Sequence, residues 1–286
     1  MPKLPAMIDS LDVFAEPYEV ILCDVWGVVH NGISAFPAAV KALQRMREKG
    51  KAVVLITNAP RLRDAVEEQL QRLGVPQDSY HRVVTSGDVT QELVREGPRR
   101  LFHIGPERDL SFFDGLDVEL VEEFEADGVV CTGLEDDETE TPEDYADLLR
   151  RLRARNLPFI CANPDIVVER GDKLIFCAGA LAREYSLLGG RTLIAGKPHR
   201  PIYDAALASA EEVLGRPVAQ EKVLAIGDGI LTDVKGAAAL GIDVLYVTEG
   251  VHASEYRANG RLDPERLSDF LAKHGHSAAA LIEQLR

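Results

Sequence analysis

Short apolar runs alternate along this chain with longer stretches whose apolar positions recur at helical spacing. The runs are Tyr18–Cys23, Lys51–Ile56, Arg82–Thr85, Leu101–Ile104, Gly128–Cys131, Leu157–Cys161, Arg191–Ala195, Lys222–Ile226 and Ile242–Val247. Most are continuously apolar, the pattern of strands covered on both faces by helices. The amphipathic stretches are Pro37–Lys49, Arg61–Leu73, Pro142–Arg155, Pro201–Leu214 and Asp233–Leu240. Pro37–Lys49 opens on proline and stops before Gly50, as a helix should. Strand and helix in alternation predict an α/β fold with a doubly wound parallel sheet.

In such sheets ligands sit at the carboxyl ends of the strands, so the residues that follow each strand carry the information. Asp24-Val25-Trp26-Gly27 follows the first strand, and Thr57-Asn58 follows the second. Gly196-Lys197-Pro198 comes after Arg191–Ala195. Gly227-Asp228-Gly229 comes after Lys222–Ile226, with Asp233 about one helical turn on. Each has an ordinary structural explanation. Asp228-Gly229 suits a turn, Thr57-Asn58 can cap the next helix, and Lys197 can be a surface lysine. Together, carboxylates, a lysine, a hydroxyl and an amide at one sheet edge can hold a divalent cation and a phosphate.

Composition narrows the field. With 47 acidic against 32 basic side chains the formal charge is −15, and no Lys/Arg run supplies a nucleic-acid footprint. The excess acid also suits simple solubility. No G-x-G-x-x-G follows a strand, which sets aside a dinucleotide-binding oxidoreductase. No apolar stretch approaches the ~18 residues of a membrane span, and Met1–Tyr18 has no apolar leader region. Cys23, Cys131, Cys161 and Cys177 lie far apart, without zinc spacing. Free thiols and a cytoplasmic location are expected. Glu135–Glu143 reads as a solvated acidic loop.

The order of Asp24, Thr57, Lys197 and the GDxxxxD stretch Gly227–Asp233 resembles the four motifs of the haloacid dehalogenase superfamily of phosphohydrolases. Ala162-Asn163-Pro164-Asp165 and Gly179-Ala180-Leu181 resemble signatures of its class IIA, whose members carry an inserted α/β cap of the C2 type. The resemblance spans residues 18–252. It implies a haloacid dehalogenase-like core over 1–98 and 191–286 and a cap over 99–190. It implies Asp24 as a nucleophile forming an aspartyl-phosphate. Mg²⁺ would be held by Asp24, the Trp26 carbonyl and Asp228. Lys197, Thr57 and Asn58 would bind phosphate, with Asp233 behind them orienting Lys197 or a metal-bound water. Asn163 and Asp165 would lie on the substrate-specificity loop. The expected partner is a small phosphorylated metabolite such as a sugar phosphate or nucleotide monophosphate, with no nucleic acid and no membrane. Self-association through the cap is left open.

One position departs from that pattern. Phosphatases of this superfamily have a second Asp two residues after the nucleophile, which protonates the leaving group. Trp26 stands there. Its carbonyl can serve a metal, but its indole can neither donate a proton to an alkoxide nor act as a base. General acid–base assistance is typically worth ~10²–10⁴-fold. His30 is the candidate for a substitute acid, because a histidine titrates in the right range. The alternative is a weak or inactive member that binds a phosphometabolite in a regulatory role.

Overall fold

The structure, a computed structural model, describes residues 4–171, 173–258 and 260–286. Met1–Lys3, the start of the stretch expected to lack a leader, lie outside these residues, as do Asp172 and Asn259. The chain divides into two compact units. The first runs to Ile56 and takes in Glu68–Val83 and Tyr203–Arg286; the second comprises Thr57–Glu67 and Val84–Ile202.

The first unit is built on a seven-stranded sheet of β1 (Ala6–Met7), β2 (Val20–Cys23), β3 (Ala52–Thr57), β4 (Arg82–Thr85), β12 (Val223–Gly227), β13 (Asp243–Val247) and β16 (Ala280–Ile282). Their spatial order is β1-β16-β13-β12-β2-β3-β4, and the strands from β1 to β3 in that order run parallel. The chain therefore progresses one way from β2 and the other way from β12. The boundary between those two strands is the topological switch point, where a doubly wound sheet opens a crevice at its carboxyl edge. All residues of β2 and β12 are buried, which explains their unbroken apolar sequences.

The second unit holds a five-stranded parallel sheet of β5 (Arg100–Ile104), β6 (Glu119–Leu120), β7 (Gly128–Cys131), β8 (Phe159–Cys161) and β11 (Thr192–Ile194), in the order β11-β8-β7-β5-β6. Alternate residues face opposite ways. Val129, Cys131, Phe159 and Cys161 pack with Leu149, Leu152, Leu181 and Tyr185. Val130 and Ile160 pack on the other face with Val94, Leu101 and Phe112. Burying each such large side chain contributes about 1.5–3 kcal/mol. A hairpin of β9 (Val167–Arg170) and β10 (Lys173–Phe176) and a short pair, β14 (Arg257–Ala258) and β15 (Arg261–Leu262), complete the strands.

All nine apolar runs are strands, and the α/β fold with a parallel-sheet core is as the sequence predicts. One assignment differs. The sequence puts Arg191–Ala195 with the core strands, whereas β11 pairs with β8 in the second sheet. A run this short carries no sign of which sheet it joins; only its partner decides. The four cysteines are free and buried, and burial pushes the Cys161 thiol up to about 12. Among the described residues no helix is long and apolar enough to cross a membrane.

Candidate active site

Asp24 follows β2 and Asp228 follows β12, so the switch point sets two carboxylates on adjacent strands. The Asp24 amide continues the ladder by donating to the Ile226 carbonyl at 2.8 Å. Asp233 lies in the π-helical turn Ile230–Val234, which passes into the helix Lys235–Leu240. Its Oδ2 accepts the Gly229 amide at 3.1 Å and the Thr232 hydroxyl at 3.4 Å. The three carboxylates are buried, with one oxygen from each within 4.8 Å of the others. Like charges this close in a low dielectric repel strongly unless a cation lies among them. Hard oxygen donors, buried and convergent, suit a divalent cation such as Mg²⁺. Sequence reasoning set Asp233 behind the metal; the structure brings it into the same cluster.

Backbone closes around Asp228. Val251 donates its amide to Asp228 Oδ2 at 2.8 Å. A Cβ on Gly27 or Gly250 would fall within 2.1 and 2.0 Å of that oxygen. Gly27 figured in the sequence only as part of the segment after β2, and Gly250 and Val251 not at all. The signal for Gly250 was its place after β13, at the same carboxyl edge. Nearby, Tyr256 donates its hydroxyl to the Thr248 carbonyl at 3.1 Å and lies 3.1 Å from the Tyr246 hydroxyl. Burial, then Tyr256 and the carboxylates of Asp228 and Asp233, hold the Tyr246 phenol far above its usual range.

Trp26 and His30 meet in a tight loop. Gly27, at φ +74°, donates its amide to the His30 carbonyl at 2.9 Å. The two rings meet edge to face with centroids 4.9 Å apart. His30 is buried, and its Nδ1 accepts the Gly32 amide at 2.9 Å, which puts the proton of the neutral ring on Nε2.

The remaining sequence candidates fall in the second unit. Thr57 closes β3, is buried, and accepts the Ala59 amide at 3.2 Å. The Asn58 side chain donates to Asp165 Oδ1 at 2.8 Å and to the Lys197 carbonyl at 3.2 Å, and accepts the Lys197 amide at 2.8 Å. Asn163 Oδ1 accepts the Asp165 amide at 3.1 Å. Asn58, Asn163, Asp165 and Lys197 thus form one connected group, and Asn58, Asn163 and Lys197 are buried.

Comparison with known proteins agrees with this chemistry. Residues 21–119 match a haloacid dehalogenase-like hydrolase family, and residues 194–273 match a second, HAD-hydrolase-like family. A crystal structure of a hydrolase of the haloacid dehalogenase-like family from Brucella suis 1330 is 60% identical, with a TM-score of 0.89 over 98% of this chain and 100% of that one. The chain belongs to the haloacid dehalogenase-like hydrolases. Among other relatives of this hydrolase, a 4-nitrophenylphosphatase of Schizosaccharomyces pombe is 24% identical over 93% of this chain and 96% of its own. The ribonucleotide monophosphatase NagD of Escherichia coli K12 is 26% identical over 81% of this chain and 88% of its own. These named relatives are phosphatases, of the class that the sequence resembles.

Proposed function

We propose that this hydrolase is a Mg²⁺-dependent phosphatase acting on a small phosphorylated metabolite, a sugar phosphate, nucleotide monophosphate or similar, through an aspartyl-phosphate on Asp24. The observation that carries this is the buried convergence of Asp24, Asp228 and Asp233 at the switch point of the sheet. Asp24 and Asp228, with the Trp26 carbonyl, would hold the cation, which when bound neutralises charge on the transferring phosphoryl group. Asp24 attacks phosphorus as the nucleophile. Lys197 and Thr57 stabilise the charge carried by the phosphoryl oxygens. Residues 99–190 would form the cap that selects the substrate, with Asn163 and Asp165 on its specificity loop.

Trp26 favours a second reading, a weak or inactive member that binds a phosphometabolite in a regulatory role. One kinetic series separates the two. Without an acid at position 26, aryl phosphates are turned over much faster than alkyl phosphates, and log kcat/KM falls steeply with leaving-group pKa. Trp26→Asp flattens that slope, and Asp24→Asn abolishes turnover while the fold persists. His30→Ala depresses alkyl-phosphate turnover if His30 is the stand-in acid, which requires the imidazolium and therefore loss of the Gly32 amide bond to Nδ1, and does little otherwise. Tight metabolite binding with no hydrolysis of even p-nitrophenyl phosphate would establish the regulatory reading instead.

A further inference from the structure

An asparagine amide has two N–H donors and one oxygen acceptor. In Asn58 all three functions are engaged, with partners 107 and 139 residues away in sequence. Two of these bonds go to the main-chain N–H and C=O of one residue, Lys197. They fix the peptide planes on either side of its Cα, and so the direction in which its side chain leaves the backbone. That matters because a lysine ammonium rides on a flexible four-carbon stem, and only its base can be fixed by backbone bonds. The third bond ties the Asp165 carboxylate to the same amide, and Asn163 in turn holds the Asp165 amide.

The surroundings are built to this arrangement. A Cβ on Gly196 would lie 2.5 Å from Ser86 Oγ, 2.7 Å from Pro164 Cγ and 2.8 Å from Asn58 Oδ1. A Cβ on Gly179 would lie 2.1 Å from the Pro164 carbonyl oxygen and 2.4 Å from that of Asp165. Three loops, around residues 58, 164 and 197, are thus pressed together with Asn58 as their common polar contact.

We propose that Asn58 is a positioning residue: its side chain sets Lys197 and Asp165 relative to one another and does not bind the phosphoryl group itself. This rests on the phosphatase reading for the role of Lys197, and it narrows the expectation that Asn58 binds phosphate by excluding its side chain from that contact. Both of its donors are committed within the protein, so the benefit it brings reaches the phosphoryl group only through Lys197.

A mutant cycle of wild type, Asn58→Ala, Lys197→Ala and the double variant tests this. The readouts are kcat and KM for p-nitrophenyl phosphate and, independently of turnover, the Kd for inorganic phosphate by calorimetry. Asn58→Ala is expected to lower kcat and weaken phosphate on the order of 10–100-fold, as loss of a residue that orients a functional group does. In the Lys197→Ala background the same change should alter neither by more than about twofold, because sites acting through one another are not additive. An equal loss in both backgrounds would mean that the amide acts on the phosphoryl group directly, and would overturn the proposal. If Asn58→Ala does not fold, Asn58→Asp takes its place, since it keeps the size and the acceptor for the Lys197 amide but removes both donors. A wild type that binds phosphate without hydrolysing p-nitrophenyl phosphate sinks the phosphatase reading and leaves Asn58 to be judged on the binding cycle. A wild type that does neither overturns both.

Discussion

A methyl group on Gly250 would fall 2.0 Å from Asp228 Oδ2, too close for any contact without movement. Gly27 makes the same demand at 2.1 Å, but at φ +74° its replacement would add backbone strain as well. Gly250 has no such positive φ, so Gly250→Ala isolates the steric effect on one carboxylate. The variant should bind Mg²⁺ more weakly on the order of 10–100-fold, with turnover falling in step, and should melt lower as well, because the added Cβ would also lie 2.1 Å from Asp228 Cβ. Calorimetric titration of Mg²⁺ into both proteins checks this; unchanged affinity would show that Asp228 is not held by its backbone cradle. The aspartates were legible in the sequence because acidic residues after strands are few and fall in a recognisable order. Gly250 was not, because a glycine after a strand is compatible with almost any turn, and only the carboxylate opposite gives it meaning. Asn58 was legible as a candidate, but the contacts that define its role bridge 107 and 139 residues, beyond the reach of local pattern.

At the scale of elements, strands buried on both faces announced themselves as apolar runs. Those of two residues, β1, β6, β14 and β15, are too short to show a period. The helix Ala178–Leu187 went unread because six of its ten residues are buried, which leaves little polar face to mark it. The helix Pro264–His274 also went unread, although Asp263 as its cap, proline at its start and Gly275 in the left-handed conformation at its end are recognisable start and stop signals. Within β5, His103 faces Thr132, with Nε2 2.9 Å from the threonine hydroxyl and its ring edge-on to Phe113. Burial lowers its pKa from 6.5 to about 4. The folded chain therefore keeps the ring neutral where the unfolded chain protonates it. The stability this contributes is complete above pH 6.5 and is lost as the pH falls through about 4. Asp109, whose carboxyl burial pushes up, works in the opposite direction at acid pH. The informative quantity is thus the difference between wild type and His103→Gln. Denaturant unfolding at neutral pH and near pH 4 should show the variant losing less stability by about 1–3 kcal/mol. Parallel losses would mean that the ring is solvated enough to protonate in the folded state.

At the scale of the whole molecule, the formal charge of −15 is spread widely, but three of those charges are gathered within 4.8 Å inside the protein. Most ion pairs here involve partly exposed side chains, such as Arg95–Glu92 and Arg150–Asp147, and exposed pairs contribute little. The buried aspartates are a different case: without a cation their mutual repulsion opposes folding, and the rest of the fold must offset it. Removing one charge should therefore stabilise the metal-free protein while destroying its function. Asp24→Asn, nearly isosteric, should melt higher than wild type in a chelator, and a gain of about 1 kcal/mol corresponds to roughly 2–4 °C in a chain of this size. Mg²⁺ should reverse the order. A ligand present at ~100 times its Kd stabilises by about 2.7 kcal/mol, so wild type gains several degrees and the variant, short of one ligand, gains less. Thermal unfolding of both proteins, in a chelator and in excess Mg²⁺, gives the four values needed. A variant that melts lower without metal would show that Asp24 is already balanced by neighbouring positive groups. Equal gains on adding Mg²⁺ would show that the cation binds somewhere other than at these three aspartates.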